Sequence, residues 1–157
     1  MLRLSKKADY GLIAMKHLAL RGDRGSSNAR EIAEQYNIPI ELMAKVLQRL
    51  VRRGLLSSQQ GTRGGYQLSR PATTMTVADV IQAIDGPLTV TACSTTEGQC
   101  DQFTTCNVRD PLWRIKERIL AALGTVTISE MATEAAAPPA AVPASRAAVL
   151  HTAGTRN

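Results

Sequence analysis

The sequence has few aromatic side chains and no long apolar run. Its 157 residues include one Trp, three Tyr and one Phe, so aliphatic side chains and methionine must build most of the core. That composition favours helices packed on helices. No stretch of about 18 apolar residues is present, so we expect no transmembrane helix. The length suits one ordinary domain with a small appendage.

Cysteine is also scarce, and all of it lies in one place. Cys93, Cys100 and Cys106 are the three cysteines of the chain. The first residues lack the long apolar segment of a secretory signal, so we expect a cytoplasmic protein. In that reducing compartment an odd cluster of cysteines argues against a disulfide framework and favours a metal or redox site.

An excess of positive charge is confined to one part of the chain. The net charge is +6, and residues 1–86 hold thirteen basic against seven acidic side chains. Residues 87–124 hold four of each, and residues 125–157 hold two of each. A basic N-terminal half indicates a polyanionic partner for that half.

Helical spacing of apolar residues predicts three helices at the start of the chain. The first covers residues 5–20, and Ser5 is its expected N-cap. Asn28 and Glu31 have the spacing of a capping box, which predicts a short helix over residues 29–36. The third covers residues 39–53 and is apolar on one face and basic on the other. The last two helices, joined by a tight turn, predict a helix-turn-helix.

A glycine-rich hairpin follows. Alternating apolar residues around GTRGG (61–65) predict two strands with Arg63 at their tip. A further helix is expected between the capping pair Thr76 and Asp79 and a stop at Gly86. These elements predict a winged helix-turn-helix DNA-binding domain over residues 1–86, in a chain that is mainly α.

This arrangement predicts that the second helix of the pair and the wing contact different grooves of DNA. Lys45, Gln48 and Arg49 lie on the basic face of the second helix of the pair, which would enter a major groove and reach bases or phosphates. Arg63 would lie in or beside the minor groove, where the negative potential favours a guanidinium. The alternative is a structural or protein-binding use of the same fold.

The C-terminal half divides into three segments. Residues 87–109 form a loop with the cysteines and no periodic pattern. Residues 110–133 are expected to hold a long dimerisation helix, opened by Asp110 as N-cap and stopped at Gly124, and a short helix after it. The apolar stripe of the long helix consists of Leu112, Ile115, Ile119 and Leu123. Residues 134–157 are rich in Ala and Pro and predict a disordered tail.

The spacing of the cysteines favours some kinds of metal site over others but does not identify one. Cys93-x6-Cys100-x5-Cys106 lacks the Cys-x2-Cys pair of a zinc knuckle. Three thiolates on one loop suit three corners of an iron–sulfur cluster, with a fourth ligand from elsewhere. Zinc and unliganded redox thiols remain alternatives.

The order of these motifs resembles a known family. The resemblance is carried by the helix-turn-helix AREIAEQYNIPIELMAKVLQRLVRRGLLSS, the wing GTRGGYQLSRP, the three-cysteine loop and the helix beginning LWRIKERI. The chain resembles the winged-helix iron–sulfur transcription regulators typified by IscR and NsrR. The resemblance covers about residues 1–133. Through IDGPLTVTAC and LWRIKERI the chain is most similar to the regulators of the SUF iron–sulfur assembly operon.

The resemblance implies a function. It implies a homodimer that binds double-stranded operator DNA, carries an iron–sulfur cluster on the three cysteines and represses cluster assembly genes. A [2Fe–2S] cluster is favoured and a [4Fe–4S] cluster is possible. Alternatives are a nitric-oxide or redox sensor of the same family and, in another class, a cluster carrier that does not bind DNA. None of these is an enzyme.

The fourth cluster ligand differs between family types. IscR-type members have a histidine three residues after the last cysteine, where this chain has Arg109. In NsrR-type members an aspartate of the first helix takes this role, and Asp9 occupies the matching place. Glu97 and Asp101, in the loop itself, are the rivals. His17 is expected to be an ordinary, partly buried histidine.

Overall fold

The computed structural model describes residues 4–22, 25–62, 64–90 and 100–134. They form a mainly helical chain with one two-stranded sheet, and this confirms the predicted architecture. In chain order the elements are α1 (Lys6–Leu20), α2 (Ala29–Gln35), α3 (Ile40–Arg52), β1 (Leu56–Gln59), β2 (Gly65–Leu68), a 3₁₀ helix (Ala72–Thr74), α4 (Val77–Asp85), α5 (Arg109–Thr125) and α6 (Ile128–Thr133). The predicted tail lies outside the described residues except for Glu134.

The predicted helix starts are confirmed where a side chain caps the helix. The Ser5 hydroxyl accepts a hydrogen bond from the Ala8 amide at the start of α1 (3.1 Å). Asn28 and Glu31 form a reciprocal capping box on α2, with both hydrogen bonds 2.9 Å long. Each cap satisfies amides that have no partner inside the helix, so these residues fix where the helix begins.

The core lies between α1 and the helix-turn-helix formed by α2 and α3. Fully buried aliphatic and methionine side chains come from these three helices, from the segment before α4, and from α4 and α6, as the composition predicts. The largest are Met15, Leu18, Ile32, Met43, Leu47, Leu50, Met75, Val80 and Ile128. This packing fixes the orientation of α3, because its apolar face is buried and its polar face points outward.

The wing is attached to the loop before α2. Strands β1 and β2 are antiparallel, with Leu56 opposite Leu68. Ser27 extends this ladder, because its amide donates to the Tyr66 carbonyl (3.1 Å) and its carbonyl accepts from the Tyr66 amide (2.9 Å). A Cβ at Gly65 would lie 2.8 Å from the Ser27 carbonyl oxygen, so only glycine fits there. The wing is therefore held against the helix-turn-helix.

The two C-terminal helices pack differently. In α6, Ile128 is fully buried and its amide donates to the Met75 carbonyl (2.9 Å), which joins this short helix to the core. Helix α5 has no buried residue. None of the helices in the described ranges is long and apolar enough to cross a membrane.

The predicted ends of α5 are wrong by two residues each. The helix begins at Arg109, and its N-cap is Val108, which has no side-chain cap. Asp110 does not cap it, because its carboxylate accepts a hydrogen bond from Arg109 Nε (2.9 Å). Gly124 is not a stop, because it stays within the helix, which ends at Thr125.

Candidate DNA interface and cysteine loop

Helix α3 presents a polar face to solvent beside the wing. Its apolar face is buried through Met43, Val46, Leu47 and Leu50. Lys45, Gln48 and Arg49 are exposed on the opposite side, as predicted. Because the buried face prevents rotation of the helix, these three side chains are presented together. Arg63, the predicted wing residue, lies outside the described residues.

Arg49 has a partner inside the protein. Its Nε donates a hydrogen bond to the carbonyl of Ala83 (3.1 Å), in the last turn of α4. The carbonyls in the last turn of a helix have no amide donor within that helix. The Arg49 guanidinium supplies a hydrogen-bond donor to one of them. The Arg49 side chain is therefore held against α4 while its other nitrogen atoms remain available.

A shallow groove runs along α3 beside Arg49. Its apolar floor is formed by Leu42, Val46 and Ile84, and Gln48 lies on its wall. Four cationic side chains line it, one from α1 and three from α3. They are Lys7, Lys45, Arg49 and Arg52. The groove thus collects four of the thirteen basic side chains of residues 1–86 beside the helix predicted to meet DNA.

His17 is a structural residue, as expected. It is 4% exposed, and its ring nitrogens lie 3.0 Å from Ser27 Oγ and 3.2 Å from the Tyr36 hydroxyl. Burial, and then the nearby Arg21 charge, lower the pKa of His17, because both disfavour the imidazolium. With both nitrogens hydrogen-bonded inside the fold, neither is left for a metal.

The cysteine loop is described from Cys100 onward. Cys100 and Cys106 are partly buried thiols that form no disulfide. Between them the chain makes a turn, in which the Phe103 amide donates to the Cys100 carbonyl (3.0 Å). Cys93 and Glu97 lie outside the described residues. The structure therefore places two of the three predicted sulfur ligands on one short turn.

Arg109 joins this turn to the first turn of α5. Its Nη1 donates to the Phe103 carbonyl (3.1 Å), and its guanidinium carbon lies 4.6 Å from the centroid of the Phe103 ring. Its Nε is bonded to Asp110. Arg109 is therefore a clamp that holds the cysteine turn against the helix.

Two of the carboxylates predicted as fourth ligands, Asp9 and Asp101, are exposed. Asp9 lies in the first turn of α1, and Asp101 follows Cys100 in the turn. Within the described stretches, no three His, Cys, Asp or Glu side chains converge in a group that could hold a metal ion.

Helix α5 exposes much of its apolar surface. Ile115 is 45% exposed and Trp113 is 48% exposed. Leu112, Ile119 and Leu123 are partly buried, so the described residues cover the stripe predicted from the sequence only in part.

The sequence analysis did not predict the roles of two candidate functional residues, Lys7 and Arg109. Lys7 lies on a helix outside the helix-turn-helix, and its position beside α3 depends on how α1 packs. Arg109 was noted only as a missing ligand, because its contacts with Phe103 are tertiary. The sole sequence signal for Lys7 was its place in the basic half of the chain.

The geometry agrees with the comparisons to known proteins. The sequence profile of the Rrf2 family, described as iron-dependent transcriptional regulators, matches residues 4–134. This chain belongs to the Rrf2 family. An IscR regulator from Xenorhabdus nematophila is 35% identical over 131 residues, which is 83% of this chain and 79% of the relative. An IscR regulator from Klebsiella pneumoniae is 32% identical over the same shares.

Solved Rrf2-like structures confirm the fold. The global cysteine regulator CymR of B. subtilis superposes with a TM-score of 0.69 at 26% identity, covering 85% of this chain and 98% of that one. T. potens IscR superposes with a TM-score of 0.67 at 27% identity, covering 85% and 88%. This Rrf2 protein is therefore a DNA-binding transcription regulator of the IscR type, and the family is one of regulators rather than enzymes.

Proposed function

We propose that this Rrf2 protein is a homodimeric, cytoplasmic repressor of iron–sulfur cluster assembly genes that senses a cluster on its cysteine loop. The observation that carries the proposal is the clamp between the loop and α5. Through Arg109 the turn that holds Cys100 and Cys106 is attached to the one long helix that has no buried face. Residues 1–86 then read DNA, residues 87–109 bind the cluster, and residues 110–133 carry the dimer helix.

The donor set suits an iron–sulfur cluster. Cys100 and Cys106 are thiols without a disulfide, partly buried and thus sheltered, and Cys93 would supply the third sulfur. Thiolates are the usual ligands of such clusters. When bound, the cluster supplies a group that oxidants and nitric oxide can damage. We favour a [2Fe–2S] cluster, with the carboxylate of Asp9 from the partner subunit as the fourth ligand.

The dimer rests on α5. Its apolar stripe of Leu112, Ile115, Ile119 and Leu123 is only partly covered by the described residues. An isologous contact between two such helices would bury the rest of the stripe. The clamp at Arg109 would transmit a change in the turn to α5. A shift of α5 would then alter the spacing of the two α3 helices on the operator.

The test is anaerobic purification followed by visible and Mössbauer spectroscopy. We expect a coloured protein, and we expect Cys93→Ser, Cys100→Ser and Cys106→Ser each to give a colourless protein that still folds and dimerises. Full cluster absorbance in any one variant would remove that cysteine from the ligand set. A colourless parent protein after anaerobic reconstitution would overturn the cluster proposal.

Asp9 is tested separately. Asp9→Ala should still assemble a cluster on three thiolates, with shifted spectra and faster loss in air. An unchanged spectrum and lifetime would leave Asp9 as an acid that interacts favourably with the α1 dipole, and would turn attention to Asp101 and Glu97.

A further inference from the structure

The cationic groove along α3 has a composition that favours anions. Of its eight lining residues, Lys7, Lys45, Arg49 and Arg52 are cationic and none is acidic. Four like charges around one groove repel one another in the absence of a counter-charge. An anion bound there would relieve that repulsion.

The described part of the chain does not neutralise these charges. Its ion pairs join Arg30 to Glu34, Arg70 to Asp79 and Arg109 to Asp110. None of the four groove cations takes part in them. Among the described residues, the four groove cations therefore have no acidic partner at ion-pair distance.

The position of Lys7 is fixed by the same end of α4 that holds Arg49. Ser5, two residues before Lys7, donates from its hydroxyl to Asp85 (2.5 Å) and from its amide to the same carboxylate (3.3 Å). Arg49 is bonded to the Ala83 carbonyl two residues earlier in α4. The C-terminal turn of α4 thus anchors both walls of the groove.

The size of an α-helix decides which part of DNA this groove can meet. A helix with its side chains is about 10–12 Å wide, and the major groove of B-DNA is about 12 Å wide. A recognition helix therefore fills the DNA major groove. A cation on a neighbouring element then faces the sugar–phosphate strand at the edge of the major groove. Lys7, on α1, is such a cation. It has a route to phosphate and not to base edges.

We propose that Lys7 binds one backbone phosphate of DNA while Arg49 and Arg52 bind the phosphate next to it, and that Lys7 is a DNA-binding residue outside the helix-turn-helix. This rests on the proposed use of α3 as the recognition helix. Arg49 serves here as a phosphate ligand held in place by Ala83, while Lys45 and Gln48 are left to meet base edges. Helices α1 and α3 then both contact the DNA strand that borders the major groove entered by α3.

The experiment compares two adjacent lysines. Lys7→Ala and Lys6→Ala remove the same charge one residue apart, but Lys6 is exposed and does not line the groove. Binding of the full-length protein to a mixed-sequence DNA duplex is measured by fluorescence anisotropy at several salt concentrations. A mixed sequence suffices because phosphate contacts do not depend on base identity. Circular dichroism confirms that each variant is folded.

We expect Lys7→Ala to reduce the slope of log affinity against log salt by about 0.9 per bound protomer, the loss of one phosphate contact. Lys6→Ala should leave most of that slope intact, and Lys7→Arg should restore it. Equal slopes for Lys7→Ala and Lys6→Ala would overturn the groove assignment while DNA binding itself stands. A parent protein that fails to bind the duplex at low salt would overturn the recognition-helix proposal and this inference with it.

Discussion

The imidazole of His17 joins the wing side of the fold to α1 through Ser27. Its Nε2 lies 3.0 Å from Ser27 Oγ, and Ser27 pairs through both backbone groups with Tyr66 of β2. The other ring nitrogen meets the Tyr36 hydroxyl at the end of α2. One buried histidine thus connects the first helix, the helix-turn-helix and the wing.

This network predicts that stability falls in mild acid. Burial lowers the pKa of His17 in the folded protein, with Arg21 adding to the effect and Glu31 opposing it. In the unfolded chain the pKa is about 6.5. As the pH falls through and below that value, the unfolded chain gains a proton before the folded one does, so the free energy of unfolding decreases.

The measurement is urea unfolding of the parent and of His17→Gln at several pH values from about 7.5 to 5.5, the range around the histidine pKa. The variant should be less stable at neutral pH and less sensitive to acid. An identical pH dependence in the two proteins would show that His17 does not carry the effect.

Removing the clamp should loosen the cysteine turn. Arg109→Ala removes the hydrogen bond to the Phe103 carbonyl and the stacking on its ring. A hydrogen bond worth about 1 kcal/mol corresponds to a fivefold change in an opening equilibrium. In cluster-free protein, Cys100 and Cys106 should then react about fivefold faster with a thiol reagent. Arg114→Ala, an exposed arginine of α5, is the control, and equal rates in both variants would contradict the clamp.

The stripe on α5 predicts a matched pair of charge insertions. Ile119→Glu places a carboxylate on the stripe, whereas Ala121→Glu places one on the other side of the helix. Since a buried, unpaired charge is costly, the first should shift the protein to monomer and the second should not. Analytical ultracentrifugation reads the result directly. A dimer that survives Ile119→Glu would place the interface elsewhere.

The wing and α3 should contribute differently to DNA binding. Arg63→Ala should weaken binding to every sequence and reduce the salt dependence by about one unit per site. Gln48→Ala should instead cost about 1–3 kcal/mol on the operator and less on random DNA. Equal operator affinity of Arg63→Ala and the parent at several salt concentrations would remove the wing from the interface.

Local signals in the sequence were enough for most of the fold. Ser5, the Asn28 and Glu31 pair and Thr76 are caps whose partners lie three residues away, so their roles are visible without tertiary structure. The apolar face of α3 could also be predicted, because helical spacing alone determines which residues share that face. The exposed face followed from the same spacing.

Individual contacts that helical spacing does not set could not be predicted in this way. Asp110 looks like an N-cap, but its carboxylate is bonded to the Arg109 side chain, so the helix begins earlier. The place of Lys7 beside α3 depends on the packing of α1 and on Ser5 bonding to Asp85, eighty residues away. The need for glycine at position 65 is likewise set by the backbone of Ser27, which lies before α2.

The central claim is that a cluster on the cysteine loop sets the affinity of this protein for its operator. The direct measurement is the Kd for a duplex selected from a random library, determined anaerobically for the same preparation before and after chelation of its iron, with Cys106→Ser as the control. We predict a change of about 5–150-fold for the parent, the usual range of coupling between two sites, and none for the variant. Equal Kd values for the parent in both states would contradict the account.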